Sequence, residues 1–330
     1  MNDPVLENDW HPVAASAAIG ARPVAASLLG RALVLWRSRD GALHAWQDRC
    51  PHRGTRLSIG RIVDDKVECA YHGWRFGPDG RCVLVASQPD EKPPENAMVP
   101  AYHVAERYGL AWACLGQPAL GVLPFPEAED PRLRNVICGP YTVGCSGPRI
   151  VENFLDMAHF AFVHAGVLGE PSRTAVRDYS VTPWSDPDGS RGVVATQCFA
   201  WQPQTNSLAH GGSEVEYTYR VVRPLTAILT KVPDAQRGFR EAISIHVQPL
   251  EEEASRVWML LAMTNFEQKE EELRAFQDGI FLQDRPILEA QQPRRLPLAP
   301  RAELPVRSDR MSLAYRAHLR ELGLRFGVIT

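Results

Sequence analysis

The first third of the chain reads as short strands rather than helices. RALVLWRS (31–38) is apolar and partly β-branched, Asp40-Gly41 follows as a hairpin turn, and ALHAWQD (42–48) returns. KVECAYHGW (66–74) is a strand running into a loop. GPDG (77–80) is a turn by composition, RCVLVA (81–86) resumes the strand pattern, and ERYGLAWACLG (106–116) reads as one more strand. These runs predict a small all-β unit. Residues 87–100 are rich in proline and charge, which predicts a surface loop. A second proline-rich stretch marks a boundary, because proline disfavours the interiors of both helix and sheet. The expected division is 1–118, a linker over 119–135, and a second domain over 136–330.

The second part mixes both periods. PRIVENFLDMAHFAFVH (148–164) predicts a helix with proline in its first turn. Residues 214–222, 242–249 and 255–266 predict strands. A long helix is expected over 267–293, with Pro286 marking a kink or a second start, and another over 308–322, ending near Gly323. The fold class is therefore α+β.

Composition adds exclusions. The chain has 330 residues and a net charge of −3, with 45% hydrophobic and 23% charged residues. That is ordinary for a globular protein of two domains. No basic run suited to phosphates appears, which argues against nucleic acid as a partner. The start MNDPVLENDW lacks the basic and apolar runs of a secretory signal, and no apolar stretch approaches the ~18 residues that span a bilayer. No membrane association and a cytoplasmic location are the expectations. Seven cysteines are spread through a large chain, a pattern that fits free thiols in a reducing compartment better than a disulfide framework. Cys82, Cys114, Cys138, Cys145 and Cys198 are expected as buried small hydrophobes.

Cys50 and Cys69 stand apart. The first sits in CPHRG and the second in CAYHGW, so Cys50-x-His52 and Cys69-x2-His72 each bring one thiol and one imidazole. Zinc fingers usually pair cysteine with cysteine and histidine with histidine. Four buried residues without metal are the other plain reading, but Gly54 and Gly73 suit backbone wrapping tightly around an inorganic centre. A two-iron, two-sulfide cluster explains the alternation better, one iron taking both cysteines and the other both histidines.

A second group lies in ENFLDMAHFAFVH, as Asp156-x2-His159-x4-His164. Asp156 and His159 would be neighbours on one helix face. His159 and His164 would be about 140° apart on an ideal helix. Joint binding of one ion therefore requires the helix to bend, bulge or end between them. Two histidines and a carboxylate form the facial triad of non-haem iron oxygenases. Asp278 and Asp284 are the candidates for the carboxylate.

The two loops match the Rieske motif, and with the second group they resemble the large subunit of Rieske non-haem iron oxygenases over nearly the whole chain. The resemblance favours Asp284, because QDRPILEAQQP (283–293) is similar to the segment that carries the family's carboxylate ligand. It implies a β Rieske domain, then a helix-grip catalytic domain with an antiparallel sheet curved around helices. It implies a [2Fe-2S] cluster on Cys50, His52, Cys69 and His72, and a mononuclear Fe(2+) on His159, His164 and Asp284. It also implies a head-to-tail homotrimer in which Asp156 bridges iron ligand His159 to His72 of a neighbouring chain. Dioxygen would be co-substrate, with electrons from NAD(P)H through a separate ferredoxin or flavin reductase.

The chain is similar to the monooxygenase and demethylase branch. LVLWRS (33–38), ERYGLAW (106–112), QQPRRLPL (291–298) and SDRMSLAYR (308–316) resemble the saxitoxin-pathway Rieske hydroxylases. That implies insertion of one oxygen atom at an sp3 C–H bond of a small molecule, with O- or N-demethylation of a small aromatic compound as the alternative. A Rieske electron carrier with a non-catalytic second domain, or a zinc-stabilised binding protein, remain as other classes. Gln204, Asn206, His210, Ile243, Ile245, Met263 and Asn265 are the candidates for the substrate pocket, while His210 and His246 are not expected to bind metal.

Overall fold

The computed structural model describes residues 3–209, 211–235, 238 and 240–330. The chain forms two compact units. One is Leu6–Val122, and the other joins Met1–Val5 to Leu123–Thr330. Its first two α-helices are single turns, α1 (Pro4–Glu7) and α2 (Pro126–Glu129).

The unit Leu6–Val122 holds ten strands. β1 (His11–Ala15), β2 (Val24–Leu28), β3 (Arg31–Arg37), β4 (Leu43–Gln47), β9 (Ala101–Arg107) and β10 (Leu110–Cys114) form one sheet in the order β1-β10-β9-β4-β3-β2. β5 (Arg61–Val63), β6 (Lys66–Glu68), β7 (Arg75–Phe76) and β8 (Cys82–Leu84) form a second. Asp40-Gly41 makes the β3–β4 turn, with Gly41 at φ 87°. ERYGLAWACLG is not one strand. Tyr108 and Gly109 both take positive φ, 56° and 73°, and fold the segment into the β9–β10 hairpin. That is the primed-turn geometry which matches strand twist, and tyrosine is an unusual residue to find there. Trp36, Trp46, Leu57, Val67, Phe76 and Val99 pack into one buried cluster, and Cys50 and Cys69 belong to it.

The unit that holds Leu123–Thr330 is built on a seven-stranded antiparallel sheet. In chain order the strands are β11 (Arg134–Val143), β12 (Ser180–Ser185), β13 (Arg191–Gln202), β14 (Ser213–Arg223), β15 (Thr226–Pro233), β16 (Glu241–Glu251) and β17 (Ala254–Met263). Strands β12 to β17 form a meander, and β11 closes the sheet beside β17. In β14 the period of two is clean: Val215, Tyr217, Tyr219 and Val221 are buried and alternate with Glu214, Glu216, Thr218 and Arg220. β13 lacks that regularity because Gln197 (φ 60°) sits in a bulge between Ala195 and Cys198.

Besides α2, four α-helices among the described residues complete the unit: α3 (Gly147–Leu155), α4 (Phe160–Val163), α5 (Glu270–Ala290) and α6 (Arg310–Leu322). α3 packs on β16 and touches α5 and α6. α5 lies along β11, where Tyr141 stacks on Phe281 with ring centroids 4.3 Å apart. Pro286 lies inside α5 and does not start a second helix. α6 ends on Gly323 at φ 74°. All seven cysteines are free and buried. His246, fully enclosed on β16, hydrogen-bonds Thr226 and Ser244, and desolvation pushes its pKa down to about 3. Among the described residues, no helix is long and apolar enough to cross a membrane.

A charged network ties α3 to the C-terminal segment. Arg316 on α6 donates to both carboxylate oxygens of Glu152 and reaches Glu303, and Arg149, almost fully buried, pairs with the same two acids. Removing one member of a buried cluster strands the others in low dielectric. Arg316→Met is therefore expected to lower unfolding free energy by about 3 kcal/mol, read by denaturant titration. A change below about 1 kcal/mol would show the network to be effectively solvated.

Candidate metal centres and pocket

The Cys50 and Cys69 loops are built alike. In the first, Cys50 N–H donates to Thr55 O at 2.8 Å and Gly54 N–H to Cys50 O at 2.9 Å. In the second, Cys69 N–H donates to Trp74 O at 2.8 Å and Gly73 N–H to Cys69 O at 3.0 Å. Each turn closes through a glycine at positive φ, 76° for Gly54 and 68° for Gly73. A side chain at Gly73 would also press on Ala86.

The loops bring like to like. Both thiols are buried, and burial, with the Cys69 sulfur adding to it, pushes Cys50 up to about 11. Both imidazoles are exposed, with ring centroids 4.7 Å apart, and His52 stacks flat on Trp74. Two sulfurs within the apolar core and two ring nitrogens at its rim suit a two-metal group whose inner metal prefers thiolate and whose outer metal accepts imidazole.

The second group departs from the expected helix. α3 stops at Leu155, and Asp156 is extended (φ −87°, ψ 136°). The break thus comes before His159 rather than between the two histidines. Asp156 is not on a helix face but anchors the next turn: its carboxylate accepts from the backbone N–H of Ala158 and His159 at 2.9 and 3.2 Å, and sits 2.9 Å from His159 Nδ1. Burial opposes the Asp156 charge, yet the His159 hydrogen bond and the two amides hold its carboxyl below the usual range. His159 and His164 then bracket the single turn α4, which puts their rings 5.0 Å apart.

Asp284 comes to them from α5. Its Oδ1 lies 3.1 Å from His164 Nε2 and 3.5 Å from His159 Nε2, and one donor atom from each residue falls within 4.8 Å of the others. Asp278 is elsewhere, bonded to the Tyr141 hydroxyl. His164 Nδ1 is 2.8 Å from Gln283 Oε1, an acceptor that fixes the proton on Nδ1 and frees Nε2. Two neutral imidazoles and one carboxylate, facing one point, suit a divalent transition metal with open positions.

These three residues lie on the wall of a pocket with about 720 Å³ of empty volume, part of it open to solvent. Its lining is mostly apolar and aromatic, including Phe160, Tyr217, Tyr219, Met259 and Phe281. Ile243 and Ile245 line it. Gln204, Asn206, Met263 and Asn265 do not. Asn265 caps the turn after β17, accepting from Glu267 and Gln268 N–H, Asn206 serves its own loop through Leu208 N–H, and Gln204 bonds Val167 through its backbone. Met263, at the end of β17, is buried away from the lining. His210 lies outside the described residues.

Tyr217 and Tyr219 were legible in the β14 alternation, and Gln277 and Phe281 in the helical spacing that also carries Asp284. Gln283 carries no such signal, since its role depends on where α4 lands.

Comparison with known proteins agrees over both units. Residues 9–103 match the Rieske [2Fe-2S] domain, and residues 143–325 match the vanillate O-demethylase oxygenase C-terminal domain. Methylxanthine N1-demethylase NdmA of Pseudomonas putida is 30% identical over 328 residues, covering 96% of this chain and 89% of that protein. The probable methylxanthine N7-demethylase NdmC of Pseudomonas sp. (strain TJI-51) is 40% identical over 222 residues, 67% of this chain and 77% of that one. The structure of NdmA with caffeine superposes with a TM-score of 0.83 at 29% identity, covering 96% of this chain and 91% of that one. A chain so matched from end to end belongs to the Rieske non-haem iron oxygenases, oxidoreductases that use a [2Fe-2S] cluster, a mononuclear iron, dioxygen and electrons relayed from NAD(P)H by a reductase.

Proposed function

We propose that this chain is the oxygenase component of an N-demethylase for small planar heteroaromatic compounds. Cys50 and Cys69 hold one iron of the cluster, His52 and His72 the other, and His159, His164 and Asp284 hold the mononuclear iron. The observation that carries this reading is the convergence of those three side chains on the wall of an aromatic-lined pocket. When bound, the two centres supply single electrons and activate dioxygen for attack on a substrate C–H bond.

The sp3 hydroxylation and demethylation readings share that oxidation and differ in what adjoins the carbon. At an N-methyl group, O2 with two electrons and two protons gives N–CH2OH, which keeps one oxygen atom, and water, which takes the other. The N–CH2OH then releases formaldehyde and leaves N–H. The relatives spanning most of this chain are named as N-demethylases, which favours this outcome over plain hydroxylation.

The chain's own residues prepare the site. Asp156 and Gln283 each accept from the Nδ1 side of one histidine, so both rings present Nε2 to the pocket. Phe160, Tyr217 and Phe281 give flat apolar surface for an aromatic ring and exclude water. Gln283→Leu removes the acceptor at His164, and mononuclear iron affinity is expected to fall about 10- to 100-fold with the cluster spectrum unchanged, by iron titration. A head-to-tail trimer, with Asp156 reaching His72 of the next chain, completes the proposal.

The direct test is turnover with a surrogate reductase, NADH and dioxygen on N-methylxanthines and methoxybenzoates. N-demethylation predicts formaldehyde in 1:1 ratio to N-methylxanthine lost, whereas formaldehyde from the methoxybenzoates alone would mark an O-demethylase. A product that keeps its carbon count, as a stable alcohol, rules it out.

A further inference from the structure

The pocket contains a charge pair with no evident part in holding metal. Lys231 on β15 and Glu241 on β16 face each other in the strand ladder, with Nζ 2.5 Å from Oε2 and both side chains under a tenth exposed. Nζ also donates to the Thr205 carbonyl at 2.9 Å. Lys231 is the only lysine or arginine among the described residues lining the pocket.

Such a pair is costly to bury, and the same two positions could hold apolar residues at no electrostatic cost. Its surroundings give it a use. Glu241 Oε2 is close enough to Lys231 to form an ion pair, yet it has no aligned hydrogen bond among the described residues. The buried Tyr219 hydroxyl, elsewhere in the same lining, has no hydrogen-bond partner among the described residues either. An ammonium has three N–H donors, and Lys231 uses one on the Thr205 carbonyl while it holds Glu241 by charge. A polar end with spare hydrogen-bonding capacity but no spare charge therefore sits in an otherwise apolar pocket.

We propose that the Lys231–Glu241 pair determines substrate specificity, admitting neutral rings that carry a carbonyl or amide and rejecting carboxylates. A ring carbonyl can take a hydrogen bond from Lys231 or Tyr219 while the ion pair stays intact. At the Lys231 end of the pocket, away from the metal ligands, a carboxylate would enter with its charge unmatched, because the one cationic side chain of the lining is already neutralised by Glu241, and an unpaired buried anion is strongly disfavoured. The inference rests on this pocket being the substrate site, and it narrows the substrate class beyond the reaction type.

The test uses the metal-loaded oxygenase and two probes of like shape and opposite charge state, neutral 4-methoxybenzamide and anionic 4-methoxybenzoate, with binding measured by calorimetry under anaerobic conditions. The wild-type protein is expected to bind the amide at least about tenfold tighter. In Glu241→Gln the ammonium loses its partner, and preference is expected to shift toward the carboxylate by about tenfold or more. In Lys231→Met/Glu241→Gln, which restores neutrality without the cation, the shift is expected to vanish. A wild-type preference for the carboxylate, no measurable binding of the amide, or an unchanged ratio in Glu241→Gln overturns the proposal. Should a variant fail to fold, the wild-type ratio still decides the sign. Because binding is the readout, a shifted ratio without formaldehyde production would refute the demethylase reading alone, and formaldehyde production with an unshifted ratio would refute the specificity role alone.

Discussion

Asp284→Ala is expected to empty the mononuclear site and leave the cluster untouched. Asp284 supplies the sole carboxylate among the three converging groups, and without it two neutral imidazoles face a divalent ion. Total iron is expected to fall from about three per chain to about two, with the visible spectrum unchanged. Asp278→Ala is the internal control. The two acids are six residues apart on α5, roughly 240° around the helix, so they point to different sides. Asp278 is engaged with Tyr141 on β11, and its loss should leave about three irons per chain. The reverse pattern, with iron lost from Asp278→Ala and kept in Asp284→Ala, would refute the ligand assignment.

What could be read in advance follows from how local each feature is. The Cys50 and Cys69 loops were legible because donors, glycines and turns all lie within a few residues, and each loop closes on its own backbone. His159, His164 and Asp284 were legible as a set, but the backbone between Asp156 and His164 was not. The apolar period of IVENFLDMAHFAF continues through Asp156, and only the competition of that carboxylate for the amides of Ala158 and His159 ends α3 early. The β9–β10 hairpin was hidden for a similar reason, since Tyr108 takes a conformation that glycine or asparagine would have announced.

The pocket wall was legible only in part. Ile243 and Ile245 follow from the sheet pattern, whereas Lys231 and Glu241 become neighbours through the register of β15 on β16. A period of two fixes which face a residue takes but not which strand lies opposite. Polar loop residues such as Asn206 and Asn265 looked available and are consumed by their own turns. Sequence therefore showed the metal chemistry better than the surface that selects the substrate.

Asp156→Asn separates two roles that the structure allows this side chain. As a local anchor it accepts from Ala158 N–H and from His159 N–H and Nδ1. If anchoring were its whole contribution, the variant should loosen α4, lower mononuclear iron occupancy and raise KM with kcat in proportion to iron. The proposed bridge to His72 of a neighbouring chain predicts otherwise. The side chain is more than a quarter exposed, so an oxygen can serve a second donor, and asparagine offers one acceptor where the carboxylate offers two. Both metals should stay bound, substrate affinity should hold, and turnover should fall by about a hundredfold. The deciding measurement is reoxidation of the pre-reduced visible chromophore by dioxygen with substrate present. Slowing there, at full iron content, is the signature of a broken link between chains, whereas wild-type reoxidation alongside lost iron would reduce Asp156 to a helix-ending residue.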